Sequence, residues 1–284
     1  MGFINPLFFA AVSALLGAGF MFIVLRLRGE LRLVFSRELM PSLFLIGLFG
    51  TFFSSIFFFY GSTLTSGVNA SILLQSEPVY SLFLSFFLLR ELITRKQVGV
   101  TLLILSGTII VLYNGALSIN IGDILVILIP LFWQLGHVLA RKTLEKASSY
   151  VVTTSRVLYG GLLLALLTLI SGLGEYQFLS DPGIMLMFLF QGIIVYVGSM
   201  IVWYEAIGKI NLSKATAIIA PYPVFSVILA WMFLGETVSV YQIAGLAVIL
   251  VGLVLLSKIR SEKREKEDKK QVERMREKSE NERN

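Results

Sequence analysis

The sequence predicts an all-α protein that crosses a membrane many times and is built from two inverted repeats. Three observations predict it. Apolar runs of roughly 18–25 residues recur along the chain, each long enough to cross ~30 Å of hydrocarbon. Charge is confined to short islands between those runs: 56% of residues are hydrophobic and 15% charged, with a mean hydropathy of +0.82, far from the balance of a soluble domain. Finally, one stretch occurs twice. SGVNASILLQSEPVYSLFLSFFLLREL at 66–92 lies without a gap on NLSKATAIIAPYPVFSVILAWMFLGET at 211–237. The shared offset pairs Ala70 with Ala215, Pro78 with Pro223, Ser81 with Ser226 and Glu91 with Glu236, and runs on through Gln97/Gln242 and Gly107/Gly252. Apolar identities are cheap in such a chain, so the polar, Pro and Gly matches carry the weight. A fixed offset over this length marks a duplicated unit.

Taken in order, the runs predict nine spanning helices, four in the first half and five in the second. The first covers about 3–25 and ends at Arg26, Arg28, Arg32 and Arg37; it is too long and too uniformly apolar for a cleavable signal. The second runs 40–62, the third 68–89 and the fourth 97–114, followed by the linker NGALSINIG. The fifth spans 123–140 before Arg141, Lys142 and Lys146, and the sixth 148–172 before a loop whose only charges are Glu175 and Asp181. The seventh runs 183–207 to Lys209, the eighth 212–234 and the ninth 239–257. Lys and Arg therefore collect in alternate loops, at 26–38, 90–96, 141–147 and 208–214, and in the tail. That bias puts these loops and the C-terminus in the cytoplasm and the N-terminus outside. The two copies of the repeat then cross in opposite senses, an arrangement that places a binding site near mid-bilayer between the halves. The division is 1–114 as first repeat, 122–260 as second repeat and 261–284 as charged tail. The tail has no apolar face and reads as disordered or as a lone helix with pairs such as Glu262–Lys266.

The residues that are scarce exclude several functions. There is no cysteine and one histidine, so a thiolate site, a His-based metal site and a catalytic triad are all improbable. No Asp pair or HExxH lies in the spans. The chain reads as a non-enzyme without metal or cofactor. The net charge of +6 comes from inner-face loops and tail and needs no nucleic acid.

The segment EPVYSLFLSFFLLREL at 77–92, with a following Gln and a Gly-containing helix, its second copy APYPVFSVILAWMFLGET, and GDIL…FWQLGHVLARK within 122–142 resemble the EamA family of the drug/metabolite transporter superfamily. The resemblance covers about 3–257. It implies ten helices in two inverted five-helix halves, a central cavity, and movement of small metabolites by alternating access. The chain departs from that pattern in its first half, which shows four helices against five. Residues 6–29 align with 149–172 through their terminal glycines, so the element without a counterpart is the first helix of the first half. This leads to the expectation of a start upstream of Met1, or of a partner supplying the missing wall, and of impaired transport by the monomer.

Candidate site residues follow from depth and symmetry. Glu77 lies ~13 Å into the third helix, where an ionisable group defaults to a functional reading. The competing reading is a structural carboxyl bonded to backbone freed by Pro78. Pro78 and its counterpart Pro223, with Pro221, each remove an amide donor at the same depth. Tyr222 falls opposite Glu77 in the repeat, Gln75 is close by, and Trp133 and Gln134 lie in the inner half of the fifth helix. Each reads as cavity lining or as packing and interface anchor. His137 reads as an inner-interface residue or a proton relay, and Glu205 as a helix-end pair with Lys209. Arg156 reads as snorkelling to the cytoplasm or as half of an intramembrane ion pair.

The whole predicts a permease of small polar or amphipathic metabolites in the plasma or inner membrane, most simply an exporter. Its partners would be a small-molecule substrate, the lipid bilayer, a second copy of the chain as a homodimer, and protons as coupling ions. The alternatives are a non-transporting or partner-dependent membrane component, or an inactive truncated transporter.

Overall fold

The computed structural model of the chain describes residues 4–89, 94–113, 120–209, 222–256 and 258–259. Among them seven helices are long and apolar enough to cross a membrane, and two shorter apolar helices adjoin undescribed residues. No strand occurs among the described residues. Glu91, Lys214, Pro221, the side chains of Lys209 and Pro223, and the tail beyond 259 lie outside this description.

Helix α1, Pro6–Arg28, starts where the Asn5 side chain accepts from the Leu7 and Phe8 amides, and stops at Gly29, whose φ of 73° closes the last turn. Arg26 and Arg28 sit in that turn, favourably placed against the helix dipole. Helix α2, Met40–Leu64, is continuous but widens into a π turn at Leu48–Phe53. Helix α3 is broken: Gly67–Leu73 is α-helical, Leu74–Ser76 is one 3-10 turn, and Glu77–Leu89 resumes the helix. The sequence places a kink at Pro78; the break comes just before it. Pro78 has no amide to give Leu74, so the Glu77 amide closes on the Leu74 carbonyl instead and tightens the turn.

Helix α4 is Arg95–Tyr113. Helix α5 is Ile121–Thr143, opened by a capping box between Asn120 and Asp123 and carrying Pro130 in its interior. Helix α6 is Ser149–Ile170, and Gly172, with φ 65°, turns the chain just beyond it. Helix α7 comprises Pro182–Leu189, a π stretch Phe190–Gly198, and Ser199–Lys209. Helices α8, Tyr222–Leu234, and α9, Val240–Leu256, follow among the described residues.

Two main apolar cores form, and neither follows the division of the sequence. One gathers Ala14, Met21 and Leu25 of α1, Leu43 and Ile46 of α2, Val151 and Val157 of α6, and Val197 and Tyr204 of α7. The other gathers Ile72 and Leu73 of α3, Ile104 of α4, Val227 of α8, and Ile249 and Leu253 of α9. Helix α5 belongs to both: Val126 and Ile129 enter the second core and Ala140 the first. It is the seam of the molecule, and every group in the candidate site lies on it or faces it across one helix.

The contact between α4 and α9 shows how closely the helices pack. A Cβ on Gly107 would lie 2.8 Å from the Gly245 carbonyl oxygen and 2.8 Å from Ile249. One on Gly252 would lie 2.5 Å from Ile104. Numbers rise along one helix as they fall along the other, so the pair is antiparallel, and small residues let the backbones touch. Both helices open alike. The Thr94 amide donates to Gln97 (2.9 Å) and the Gln97 amide to the Thr94 hydroxyl (3.2 Å). The Ser239 amide donates to Gln242 (2.8 Å) and the Gln242 amide to the Ser239 hydroxyl (3.1 Å). These are two capping boxes at the offset of the repeat.

Candidate functional site

The centre of the site is the contact between the two proline-weakened helices. Glu77 opens the second α-helical segment of α3, directly after its 3-10 turn, and its carboxylate accepts from the side-chain amide of Gln134 on α5. Both side chains are half-buried, and Pro78 behind them is buried. One turn before Gln134, Pro130 withholds its amide from Val126, so α5 is loosened beside the break in α3. By helix rise Glu77 lies ~15 Å from the start of α3 at Gly67, about half the hydrocarbon thickness.

One turn further along α5 lies His137, its ring 6.2 Å from both Trp203 and Tyr204 of α7. The Tyr204 hydroxyl accepts from Arg156 of α6 at 3.3 Å, and the second terminal nitrogen of Arg156 donates to the Gly50 carbonyl at 2.7 Å. Arg156 is only 7% exposed. The sequence offers it the cytoplasm or a carboxylate; it takes neither among the described residues, where no acid lies within ion-pair distance. The reason is the π turn in α2. The Gly50 carbonyl lies within it, and Gly50, lacking a side chain, lets the guanidinium lie against the backbone, where a Cβ would sit 3.1 Å from its carbon. Ser54 shares the Gly50 carbonyl at 2.8 Å. Phe53 of the same π turn stacks on Phe132 of α5 at 5.3 Å, with Phe57 against it at 4.8 Å. The site thus has a carboxylate and an amide at one end, a guanidinium and an imidazole at the other, and aromatic faces between α2 and α5.

The other residues singled out from the sequence are placed as follows. Trp133 packs half-buried against the second apolar core. Tyr222 lies in α8 and is 48% exposed. Pro223 follows it in the same helix. Gln75 is half-buried on the 3-10 turn beside Glu77. Glu205 accepts from the Ser149 hydroxyl at 2.6 Å. Sequence reasoning missed Tyr204, Gly50 and Pro130. Pro130 carried a readable signal, a proline inside an apolar run; the others did not.

Each end of the bundle is tied. At one end Asp123, 2% exposed, accepts from the Thr65 hydroxyl and from the Asn69 amide (3.3 Å), and Asn69 accepts from Gln242 (2.7 Å). Glu236 caps α3 by accepting from the Gly67 and Val68 amides at 2.7 and 2.8 Å. This knot joins α3, α5 and α9. At the other end Glu38 pairs with Lys146 at 2.7 Å, Ser148 donates to Glu30, and Arg28 lies 4.1 Å over the Tyr150 ring. The hydrogen bond from Lys146 lowers the Glu38 pKa, and the same bond raises that of Lys146.

A bundle of membrane-length helices, with a break before Pro78 in α3 and Pro130 inside α5 beside a polar centre, and tied at both ends, has the construction of a membrane transport protein. The EamA-like transporter family model matches residues 1–113 and 120–258. The chain belongs to that family, as the repeated EPV and PYPV segments led one to expect. It is 25% identical over 263 residues to the uncharacterized transporter YyaM of Bacillus subtilis, covering 90% of this chain and 86% of that protein. An uncharacterized transporter of Methanothermobacter thermautotrophicus is 28% identical over 221 residues, and the match spans 75% of this chain and 63% of that protein's length. A probable amino-acid metabolite efflux pump of Salmonella typhimurium is 24% identical over 197 residues, 66% of each chain. A solved crystal structure superposes with a TM-score of 0.64 over 92% of this chain and 90% of the other, at 19% identity, which shows a shared fold. The chain is a multi-pass helical membrane transporter.

Proposed function

We propose that the chain exports small polar or amphipathic metabolites by alternating access, with the substrate held on the α5 seam between Glu77 and Arg156. The observation that carries this reading is the Glu77–Gln134 contact at mid-membrane depth, where α3 is broken and α5 carries a proline. Polar groups at that depth are costly and concentrate at substrate and ion paths. Two inverted repeats would supply the motion: the two matches to the family model, the antiparallel α4–α9 pair and the paired capping boxes support them. In this reading 1–114 and 122–260 are the repeats and the basic loops face the cytoplasm of a cell membrane. The Asp123–Asn69–Gln242 knot is then the closed outer gate. Glu77 carries the coupling proton, and the efflux pump of Salmonella typhimurium supports the outward direction.

The test is transport itself. Metabolites enriched in the medium of cells expressing the chain, relative to cells without it, name the candidates. Purified chain in liposomes then takes up at least one of them saturably. Absence of uptake for every enriched compound refutes the proposal.

A further inference from the structure

The Arg156 cluster has the chemistry of an anion site, a refinement that rests on the transport reading above. Arg156 lies about 10 Å into α6 by helix rise, and its two bonded acceptors, the Gly50 carbonyl and the Tyr204 hydroxyl, are neutral. A buried cation without an anion is costly, because neutral dipoles replace its hydration only in part. A second, independent feature adjoins it. The Nδ1 of His137 is buried without a hydrogen-bond partner, and its ring meets the same Tyr204. Tyr196 packs against the same apolar core as Tyr204. The guanidinium and the ring that carries the unsatisfied nitrogen thus both meet Tyr204, and among the described residues no acid lies within ion-pair distance of the guanidinium. The aromatic group Phe53, Phe57 and Phe132 begins one turn from Gly50.

We propose that Arg156 is the anion-binding group of the transport site and that the substrate is an organic monocarboxylate with an apolar remainder. One cation asks for one negative charge. The planar guanidinium suits a carboxylate, which accepts two parallel bonds. The Phe53–Phe132 stack gives the remainder of the molecule an apolar surface, which chloride or phosphate would not use.

The test follows thermal unfolding of the purified full chain in detergent with butyrate, phenylacetate and phenylalanine, each beside its primary amide, and with sodium chloride and sodium phosphate. At least one acid raises Tm at millimolar concentration while its amide and the inorganic salts do not. In Arg156→Gln that acid binds roughly 30- to 100-fold more weakly. Equal shifts from acid and amide, equal shifts from chloride or phosphate, no shift with any acid, or an unchanged shift in Arg156→Gln each overturn the proposal. Should Arg156→Gln fail to fold, His137→Cys reads the same site, because the chain has no other cysteine. The active acid slows its alkylation by N-ethylmaleimide and the amide does not; equal alkylation rates overturn the proposal. Liposome flux separates the two claims. Acid-specific binding without movement of any compound supports the Arg156 site and defeats the transport reading, whereas movement of an amide but not its acid overturns the carboxylate and leaves that reading standing.

Discussion

Replacing Asn69 by Leu should open one end of the bundle without disturbing its packing, since the two side chains are similar in size. Asn69 gives a bond to Asp123 at 3.3 Å and takes one from Gln242 at 2.7 Å, so α3 loses direct ties to α5 and α9. Interhelical side-chain bonds in membrane proteins average about 0.6 kcal/mol, with a maximum of about 1.7 kcal/mol. The pair is therefore worth about 1–2 kcal/mol, a roughly 5- to 30-fold shift of the gate equilibrium. A cysteine introduced at Gln75, on the 3-10 turn below the knot, reports the opening. In sealed vesicles an impermeant thiol reagent added on the Asp123 side should modify it about tenfold faster in the Asn69→Leu background. An unchanged rate in a folded variant would refute the assignment of this knot as a gate.

Three further outcomes are expected. Glu77→Gln keeps the Gln134 contact and leaves substrate affinity within about threefold, yet abolishes accumulation driven by a pH gradient in liposomes; normal pH-driven accumulation would return Glu77 to a structural role. Gly107→Leu forces α4 from α9, because even a Cβ would lie 2.8 Å from backbone, and overpacking should cost about 1–3 kcal/mol, read as a lower Tm in detergent; an unchanged Tm would contradict the close contact. The Glu38–Lys146 pair lowers the Glu38 pKa, so its stabilisation is present above the ordinary carboxylate pKa and is lost as pH falls through the lower folded value. The Tm difference between wild type and Glu38→Gln should thus be small at about pH 7, since the pair is exposed, and vanish below about pH 3; a difference that grows on acidification would reverse the sign.

Much of the helix layout was legible because the physics behind it is local. Apolar runs of membrane length, Arg26 and Arg28 at the end of α1, and glycines at 29 and 172 all act within one helix. Thr94/Gln97 and Ser239/Gln242 carry a capping pattern that needs no tertiary context. The site was only partly legible. Glu77 and Gln134 stood out as polar residues in apolar helices, and they do meet. The partners of Arg156 did not stand out, because a π turn at Leu48–Phe53 leaves no mark on an apolar run, and a backbone carbonyl has no letter in a sequence. Trp133 was ambiguous for a related reason: an indole suits a cavity wall and an apolar core alike, and only packing shows it against the second core. The sharing of α5 between two cores depends on tertiary contacts that no repeat alignment contains.

The central claim is that one site on the α5 seam faces each side of the membrane in turn. The most direct test places a single cysteine at Gln75 in this cysteine-free chain and challenges sealed, uniformly oriented vesicles with an impermeant thiol reagent, first from one side and then from the other. Alternating access predicts modification from both sides, each slowed by a transported compound. A cysteine that reacts from one side only would contradict it.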